Sequence, residues 1–231
     1  MPSPRHWPER PPPGQCFSPD SLVEFSSVGN ASLGYEVTRS ATTLRADPRF
    51  LELLTAWAAD WADLSGMGPI ERIWSYGAYV DRCSSLYAAG RAFDFAEVVH
   101  EGGSISCRYD TWQPGSEAQL RDYWRLTASL HLHFAYTLTY LYNQQHHNHI
   151  HIDNAVSGFE PPTTFNSRSQ VQVQLVQAGL RHVFDTPVGM TGEWDDQTRE
   201  ALRPLQADLG ITQPMRNPDG WQAFLRATAR G

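Results

Sequence analysis

The strongest pattern in the chain is a run of apolar residues three and four positions apart, directly after Asp47 and Pro48. Aspartate is a good helix N-cap, and proline is tolerated at the first helical position because its missing N–H has no intrahelical partner there. Residues 65–69, Ser-Gly-Met-Gly-Pro, end the pattern. The sequence therefore predicts an amphipathic helix whose buried face carries Phe50, Leu53, Leu54, Trp57, Trp61 and Leu64.

A second helix is predicted after Ser116, where Gln119 three residues later completes a capping-box pattern. We expect this helix to continue through Leu141, with His131 and His133 inside it as structural or surface histidines. Its expected buried face consists of Leu120, Tyr123, Trp124, Leu130, Phe134, Leu138 and Leu141.

Three stretches have the composition or the alternation of β-strands. Residues 71–80 and 91–99 are rich in aromatic and branched side chains. In residues 148–153 apolar and polar positions alternate, which places His149 and His151 on the same face of a strand. This order of helices and strands predicts an α+β fold, an antiparallel sheet with flanking helices.

Composition divides the chain into four parts. Residues 1–20 are predicted to be a proline-rich extension, because prolines interrupt regular elements. The predicted helices and strands of residues 21–155 form the main domain, and residues 156–168 have the composition of a linker. Residues 169–231 show helical spacing around a glycine-containing middle, which predicts a small helical domain.

Charge and composition exclude several functions. The chain has 231 residues, 18 of them basic and 25 acidic, with a formal net charge of −7 and no basic run. Nucleic acid is therefore not an expected partner. All the basic residues are arginine, which excludes lysine Schiff-base chemistry. No apolar stretch reaches the length of about 18 residues that a membrane span requires.

The sequence is compatible with more than one cellular compartment. The proline-rich start lacks the apolar core of a secretory signal. We therefore expect a cytoplasmic protein as the chain stands, or a cell-envelope or secreted protein if a leader has been removed. Cys83 and Cys107 either pair in an oxidising compartment or remain two buried thiols.

Candidate chemistry is concentrated around histidines and one aspartate. The run His-His-Asn-His-Ile-His ends at His151, and His149 and His151 lie about 7 Å apart on a strand. Two such imidazoles can approach one metal ion, or one can bind the metal while the other handles protons. Asp94, in the middle of an apolar strand, is costly unless it binds a cation or pairs with Arg82 or Arg91.

These residues belong to segments 75–82, 85–95 and 142–153. In order and spacing the segments resemble the extensin-like C-terminal domain family, which is related to the zinc D-alanyl-D-alanine carboxypeptidases and the lysostaphin-type peptidases. The family pattern is a Gly-x-Tyr-x-x-Arg strand, then Ser-x-His-x-x-Gly/Ala-x-Ala-x-Asp, then a late His-x-His on a strand. The resemblance covers about residues 20–155 and implies a carboxypeptidase-like fold with one bound divalent ion, zinc in the first place.

The resemblance also implies roles for individual positions. Asp94 and His151 would be metal ligands, and His149 would handle protons beside the metal-bound water. Arg82 would bind the substrate carboxylate, a task that suits its planar fork of donors. Ser85 would contact the substrate or support the ligands.

Tyr87 stands where the family has its first histidine ligand. Because the free pKa of a tyrosine is about 10, a metal ion would have to stabilise its phenolate. Three outcomes are open: zinc with a phenolate ligand, a change to copper or iron, or loss of the metal. His146, His147 and His100 are candidates to supply an additional ligand or to surround the ligands.

Residues 169–231 contain a Gly-x-Trp turn at Gly192, followed by a Thr-x-x-Ala-Leu helix start at Thr198. In these features they resemble a peptidoglycan-binding domain of three short helices. Pro204 departs from that pattern and predicts a kinked helix. The resemblance implies binding to the cell wall, in which Trp194 either packs in the core or stacks on a sugar. The matching residues are Val173, Leu175, Gly179, Leu180, Gly192, Trp194, Thr198, Ala201, Leu202, Leu205, Gln206, Leu209, Gly210 and Ile211.

The two resemblances together imply a metal-dependent hydrolase. Its substrates would be amide bonds in D-amino-acid-containing peptides, most simply peptidoglycan stem peptides. One alternative is a repurposed metalloenzyme whose Tyr/His/Asp site holds copper or iron and acts on a peptide or a small metabolite. The other alternative is a non-catalytic protein that binds the cell wall.

Overall fold

The computed structural model describes residues 21–81, 86–159 and 162–231. Over these ranges the chain has the predicted α+β class. The strands are β1 (Val23–Phe25), β2 (Ser27–Val28), β3 (Ala31–Tyr35), β4 (Ser40–Ala41), β5 (Leu44–Ala46), β6 (Ile70–Gly77), β7 (Ala92–His100), β8 (Gly103–Ser106), β9 (Tyr136–Leu138) and β10 (Ile150–Asp153). The α-helices are α1 (Pro48–Ser65), α2 (Tyr109–Trp112), α3 (Glu117–His131), α4 (Gln170–Ala178), α5 (Asp196–Asp208) and α6 (Pro218–Arg230).

The main sheet has the strand order β2-β3-β6-β7-β10-β9, with β4 added to β3 and β8 added to β7. Most pairs are antiparallel, as predicted, but β3 and β6 run parallel, so the sheet is mixed. Parallel neighbours need a crossover connection, and the segment between these strands contains α1, which provides it. The prediction of a purely antiparallel sheet was therefore wrong at this one pair.

Helix α1 begins where the sequence predicts. The Asp47 carboxylate accepts a hydrogen bond from the Arg49 N–H at 2.8 Å, and Gly66, with φ of 69°, ends the helix in the left-handed conformation. Trp57 and Trp61 on its inner face are fully buried. The Trp57 ring packs edge-on against Phe95 of β7, which fixes the helix on the strand that carries Asp94.

Helix α3 has the predicted capping box at Ser116 but ends at His131 rather than at Leu141. The chain beyond it forms β9, which pairs with β10. Phe134 and Leu138 are both buried, so their four-residue spacing imitates a helix face although Leu138 belongs to a strand. The hydrogen bonds to β10 override the helical periodicity here.

Helices α4 to α6 lie against the rest of the molecule. Helix α6 packs on α1 and α3, and one cluster of buried apolar side chains extends from the sheet into all three C-terminal helices. In the segment before α4, the buried Thr163 hydroxyl donates to the His131 carbonyl at 2.5 Å and accepts from the Trp221 indole at 3.1 Å. None of the helices in the described ranges is both long enough and apolar enough to cross a bilayer.

Candidate metal centre

Strand pairing brings the central carboxylate and imidazole together. β7 and β10 are antiparallel, and their register places His151 directly opposite Asp94. Directly opposed residues have Cβ atoms about 5 Å apart, within reach of side-chain contact. His149 precedes β10 by one residue and lies two positions before His151, so its side chain reaches the same face.

Three potential ligand atoms converge at this point. Asp94 Oδ1 lies 3.0 Å from His151 Nδ1 and 3.5 Å from His149 Nε2. The ligand atoms of these three residues all lie within 4.8 Å of one another. His151 is buried, whereas Asp94 and His149 are partly exposed.

In both imidazoles, the ring nitrogen that points away from the cluster has an oxygen acceptor. The outward nitrogen of His149, Nδ1, lies 2.6 Å from Asn148 Oδ1, and the outward nitrogen of His151, Nε2, lies 3.1 Å from Asp153 Oδ2. An oxygen acceptor at the outward nitrogen leaves the inward nitrogen free to bind a metal. Metal-binding histidines typically have this arrangement, and it is present at both rings.

Tyr87 closes the cluster from the short turn Leu86–Ala89. Its hydroxyl donates to Asp94 Oδ1 at 2.6 Å and lies 2.7 Å from His151 Nδ1. Burial and the adjacent Asp94 carboxylate raise the pKa of Tyr87 far above its usual value. In this arrangement Tyr87 is a neutral phenol that hydrogen-bonds the ligand atoms.

The pKa values of His151, Asp94 and His149 depend on burial and on one another. Burial lowers the pKa of His151, but hydrogen bonds to Asp153 and Asp94 outweigh it and raise the value to about 9. Burial raises the pKa of Asp94, but the His151 hydrogen bond and the nearby imidazoles outweigh it and lower the value. The pKa of His149 is lowered, chiefly by burial. A cation therefore has to displace the proton of His151 to bind there.

The donor set fits a divalent ion of the zinc type. Carboxylate oxygen and imidazole nitrogen bind Zn²⁺ at about 2.0–2.2 Å, so neighbouring ligand atoms in a tetrahedral site lie about 3.3 Å apart. The distances of 3.0 and 3.5 Å from Asp94 Oδ1 to the two imidazoles bracket this separation. The two Tyr87 distances are shorter than this separation and, like the 3.0 Å contact between Asp94 and His151, are those of hydrogen bonds.

The other predicted histidines occupy different environments. His146 borders the cluster, with ring centroids 5.1 Å from His149 and 6.0 Å from His151. His147 packs against Tyr109. His100 lies at the opposite end of β7 from the cluster, where its ring contacts the Trp61 indole and the Gly68 carbonyl, each at 3.0 Å. His100 is therefore a structural residue, and the structure does not bring it to the metal ligands.

Several predicted residues lie outside the described ranges, among them Arg82, Cys83, Ser85 and the extension over residues 1–20. Cys107, for which both a pair with Cys83 and a buried thiol were left open, is a fully buried free thiol. Outside the cluster, His131 at the end of α3 is completely buried, and His133 lies 3.0 Å from Asp60 through Nε2. Trp194 is half-buried and packs edge-on against Phe165 at 4.9 Å.

Two residues of the centre were not predicted from the sequence. Asp153 continues the alternation of His149 and His151, so its period-two spacing was an available signal. Asn148 is adjacent to His149, and nothing in the pattern distinguishes it from an ordinary loop residue. Both contact the imidazoles rather than the position between the three ligand atoms, so no ligand pattern in the sequence points to them.

Comparison with protein-family models, with curated proteins and with solved structures finds no match for this chain. The assignment of a function therefore depends on the cluster itself and on the resemblance of the three sequence segments.

Proposed function

We propose that this chain is a metal-dependent hydrolase that acts on amide bonds of D-amino-acid-containing peptides, most simply peptidoglycan stem peptides. The observation that carries the proposal is the convergence of Asp94, His149 and His151, with an oxygen acceptor behind each imidazole. A bound Zn²⁺ supplies a water of lowered pKa and polarises the scissile carbonyl.

The distances favour Asp94, His149 and His151 as the ligands, with Tyr87 as a hydrogen-bonding neighbour. This differs from the roles that the resemblance implies, in which Tyr87 is a ligand and His149 handles protons. The Tyr87 hydroxyl is already engaged as a hydrogen-bond donor to Asp94 Oδ1, whereas His149 Nε2 faces that oxygen at 3.5 Å. In the proposed arrangement Tyr87 orients the Asp94 carboxylate by donating to Oδ1.

His146 is the proposed proton acceptor of the reaction. Its Nδ1 lies 2.7 Å from Asn143 Oδ1, so with the Nδ1–H donated to that oxygen the other ring nitrogen is free to take a proton. Burial and the neighbouring histidines lower the pKa of His146 to about 4, so the ring is neutral at pH 7 and is a weak base there. Arg82 remains the proposed partner of the substrate carboxylate, and Ser85 a supporting contact, as the resemblance implies.

A second candidate is a redox metalloenzyme that holds copper or iron. The position of the Tyr87 hydroxyl, within 2.7 Å of two ligand atoms, favours it, because a phenolate suits these ions. The substrate would then be a peptide or a small metabolite. Elemental analysis of the purified protein separates the candidates, since the hydrolase is expected to contain zinc without copper or iron.

The test of the hydrolase is release of D-alanine, or of cleaved stem peptide, from purified peptidoglycan by the zinc-loaded protein. Asp94→Asn should abolish release, and the exposed Asp63→Asn, with the same change of charge, should not. Absence of cleavage by a folded protein with zinc bound would reject the hydrolase. It would leave the redox metalloenzyme and the non-catalytic wall-binding alternative, in which Trp194 contacts the wall.

A further inference from the structure

A cleft of about 520 Å³ opens between α5 and the chain segments that precede α4 and α6. Its apolar part is formed by Phe165, Trp194, Leu202 and Met215. The cleft shares no lining residue with the metal centre. Its volume lies in the range of pockets for small organic ligands, about 300–1,000 Å³.

The charged side chains of the cleft all have the same sign. Arg199, Arg203 and Arg216 line it, and none of the described lining residues is acidic. Arg199 pairs with Asp196 and donates to the Trp194 carbonyl at 2.6 Å. Arg203 and Arg216 are exposed and form no ion pair within the described ranges. In a chain with a formal net charge of −7, this is a local concentration of unneutralised positive charge.

The apolar wall of the cleft is rigidly supported. The fully buried Gln177 amide donates to Thr191 Oγ1, to the Glu193 carbonyl and to Thr198 Oγ1, and its oxygen accepts from the Gly192 N–H. These contacts fix the loop that carries Trp194.

Phe165 forms the aromatic part of the wall together with Trp194. Its ring packs against Trp194 at 4.9 Å and against Trp221 at 5.1 Å, and the Trp221 indole donates to the buried Thr163 hydroxyl. The aromatic surfaces are thus formed before any ligand arrives, which lowers the entropic cost of binding.

We propose that this cleft binds an oxyanion attached to an apolar or planar group, with Arg203 and Arg216 holding the anion and Phe165 and Trp194 contacting the apolar group. Guanidinium groups match carboxylate and phosphate oxygens through paired N–H donors. The site is independent of the proposed hydrolase activity and adds a second ligand to the molecule.

Three probes of one shape test the proposal: 2-naphthoate, 2-naphthyl phosphate and the neutral 2-naphthamide. Each is titrated into the full chain while the Trp194 indole N–H resonance, assigned with Trp194→Phe, is followed by NMR. We expect at least one anion to shift this resonance saturably and to bind at least about tenfold more tightly than the amide, the value of one charge-assisted hydrogen bond. The anion that binds better identifies the group that the cleft prefers.

Arg203→Gln combined with Arg216→Gln should remove most of the anion affinity and leave amide binding unchanged. Arg45→Gln is the matched control, because Arg45 is an exposed arginine on β5 that does not line the cleft. Equal affinity for naphthoate, naphthyl phosphate and naphthamide in the unmodified protein would overturn the proposal without depending on any variant. Anion binding that survives the double substitution would overturn it as well.

Discussion

Asp94 and His151 face each other across the antiparallel strands β7 and β10, with Asp94 Oδ1 and His151 Nδ1 3.0 Å apart. Because both strands are internal to the sheet, backbone hydrogen bonds on both sides fix this pair. His149 and Tyr87 approach the pair from less regular segments, so the rigid half of the centre is the carboxylate and the His151 imidazole.

Asp153 is expected to control metal affinity although it lies on the far side of the His151 ring. Its Oδ2 accepts from His151 Nε2 at 3.1 Å and so orients the ring. Asp153→Asn should weaken zinc binding by about 10- to 100-fold, the usual effect of losing such a partner. Competition with a chelating dye measures the change. The exposed Asp63→Asn is the control for the change of charge and should leave zinc binding unchanged. Unchanged affinity in Asp153→Asn as well would mean that His151 is not a ligand.

Tyr87 offers a direct test of the ligand set. If its hydroxyl only hydrogen-bonds Asp94 and His151, Tyr87→Phe should retain one zinc ion per chain and lose about 10- to 100-fold in affinity. Tyr87→His introduces a third imidazole and should bind zinc more tightly than the unmodified chain. Complete loss of zinc in the phenylalanine variant, measured by elemental analysis of the folded protein, would instead identify Tyr87 as a ligand.

His131 should make the protein sensitive to acid. It is fully buried, neither ring nitrogen has a hydrogen-bond partner within the described ranges, and burial lowers its pKa to about 3. Between that value and the ordinary pKa of about 6.5, the unfolded chain holds one proton more than the folded chain, so stability falls as the pH falls. Between pH 7 and pH 5, the free energy of unfolding should therefore fall by about 2 kcal/mol less in His131→Leu than in the unmodified chain.

Urea unfolding at the two pH values checks this expectation. The difference between the chains isolates His131, because all other titrating groups are common to both. Equal losses of stability in the two chains would show that His131 does not stay neutral in the folded protein.

Gln177 is expected to stabilise the loop that carries Trp194. Gln177→Leu removes its hydrogen bonds to Thr191, Glu193, Thr198 and Gly192. Because each such bond contributes about 0.5–1.5 kcal/mol net, we expect a total loss of about 1–3 kcal/mol. The Trp194 indole resonance should broaden or move as the loop loosens. The exposed Gln145→Leu should change the free energy of unfolding by less than about 0.5 kcal/mol. Similar small effects of both substitutions would contradict this view of Gln177.

The sequence predicted the parts of the fold that depend on local signals. Asp47 and Ser116 begin helices because their side chains cap free N–H groups, and both caps are present. The end of α3 escaped prediction because Phe134 and Leu138 keep helical spacing, and only pairing with β10 shows that Leu138 is in a strand. The parallel pairing of β3 with β6 is likewise a tertiary choice without a local signal.

The metal centre, too, was predictable where the signal in the sequence is local. Asp94 was recognisable as a carboxylate in an apolar strand, and His151 by its alternation with His149. Which residue of β10 meets Asp94 depends on strand register. His100 is excluded by its position alone, because it lies six residues beyond Asp94 on β7, which is about 20 Å along a strand. The distinction between a ligand and a hydrogen-bonding neighbour at Tyr87 depends on differences of less than 1 Å, which no sequence pattern specifies.

The most direct test of the account is anomalous X-ray scattering at the zinc edge from crystals of the chain grown with one equivalent of zinc. One anomalous peak is expected, at about 2.0–2.2 Å from Asp94 Oδ1, His149 Nε2 and His151 Nδ1. A well-ordered centre without a peak between these three atoms, or a peak held by other residues, would contradict it.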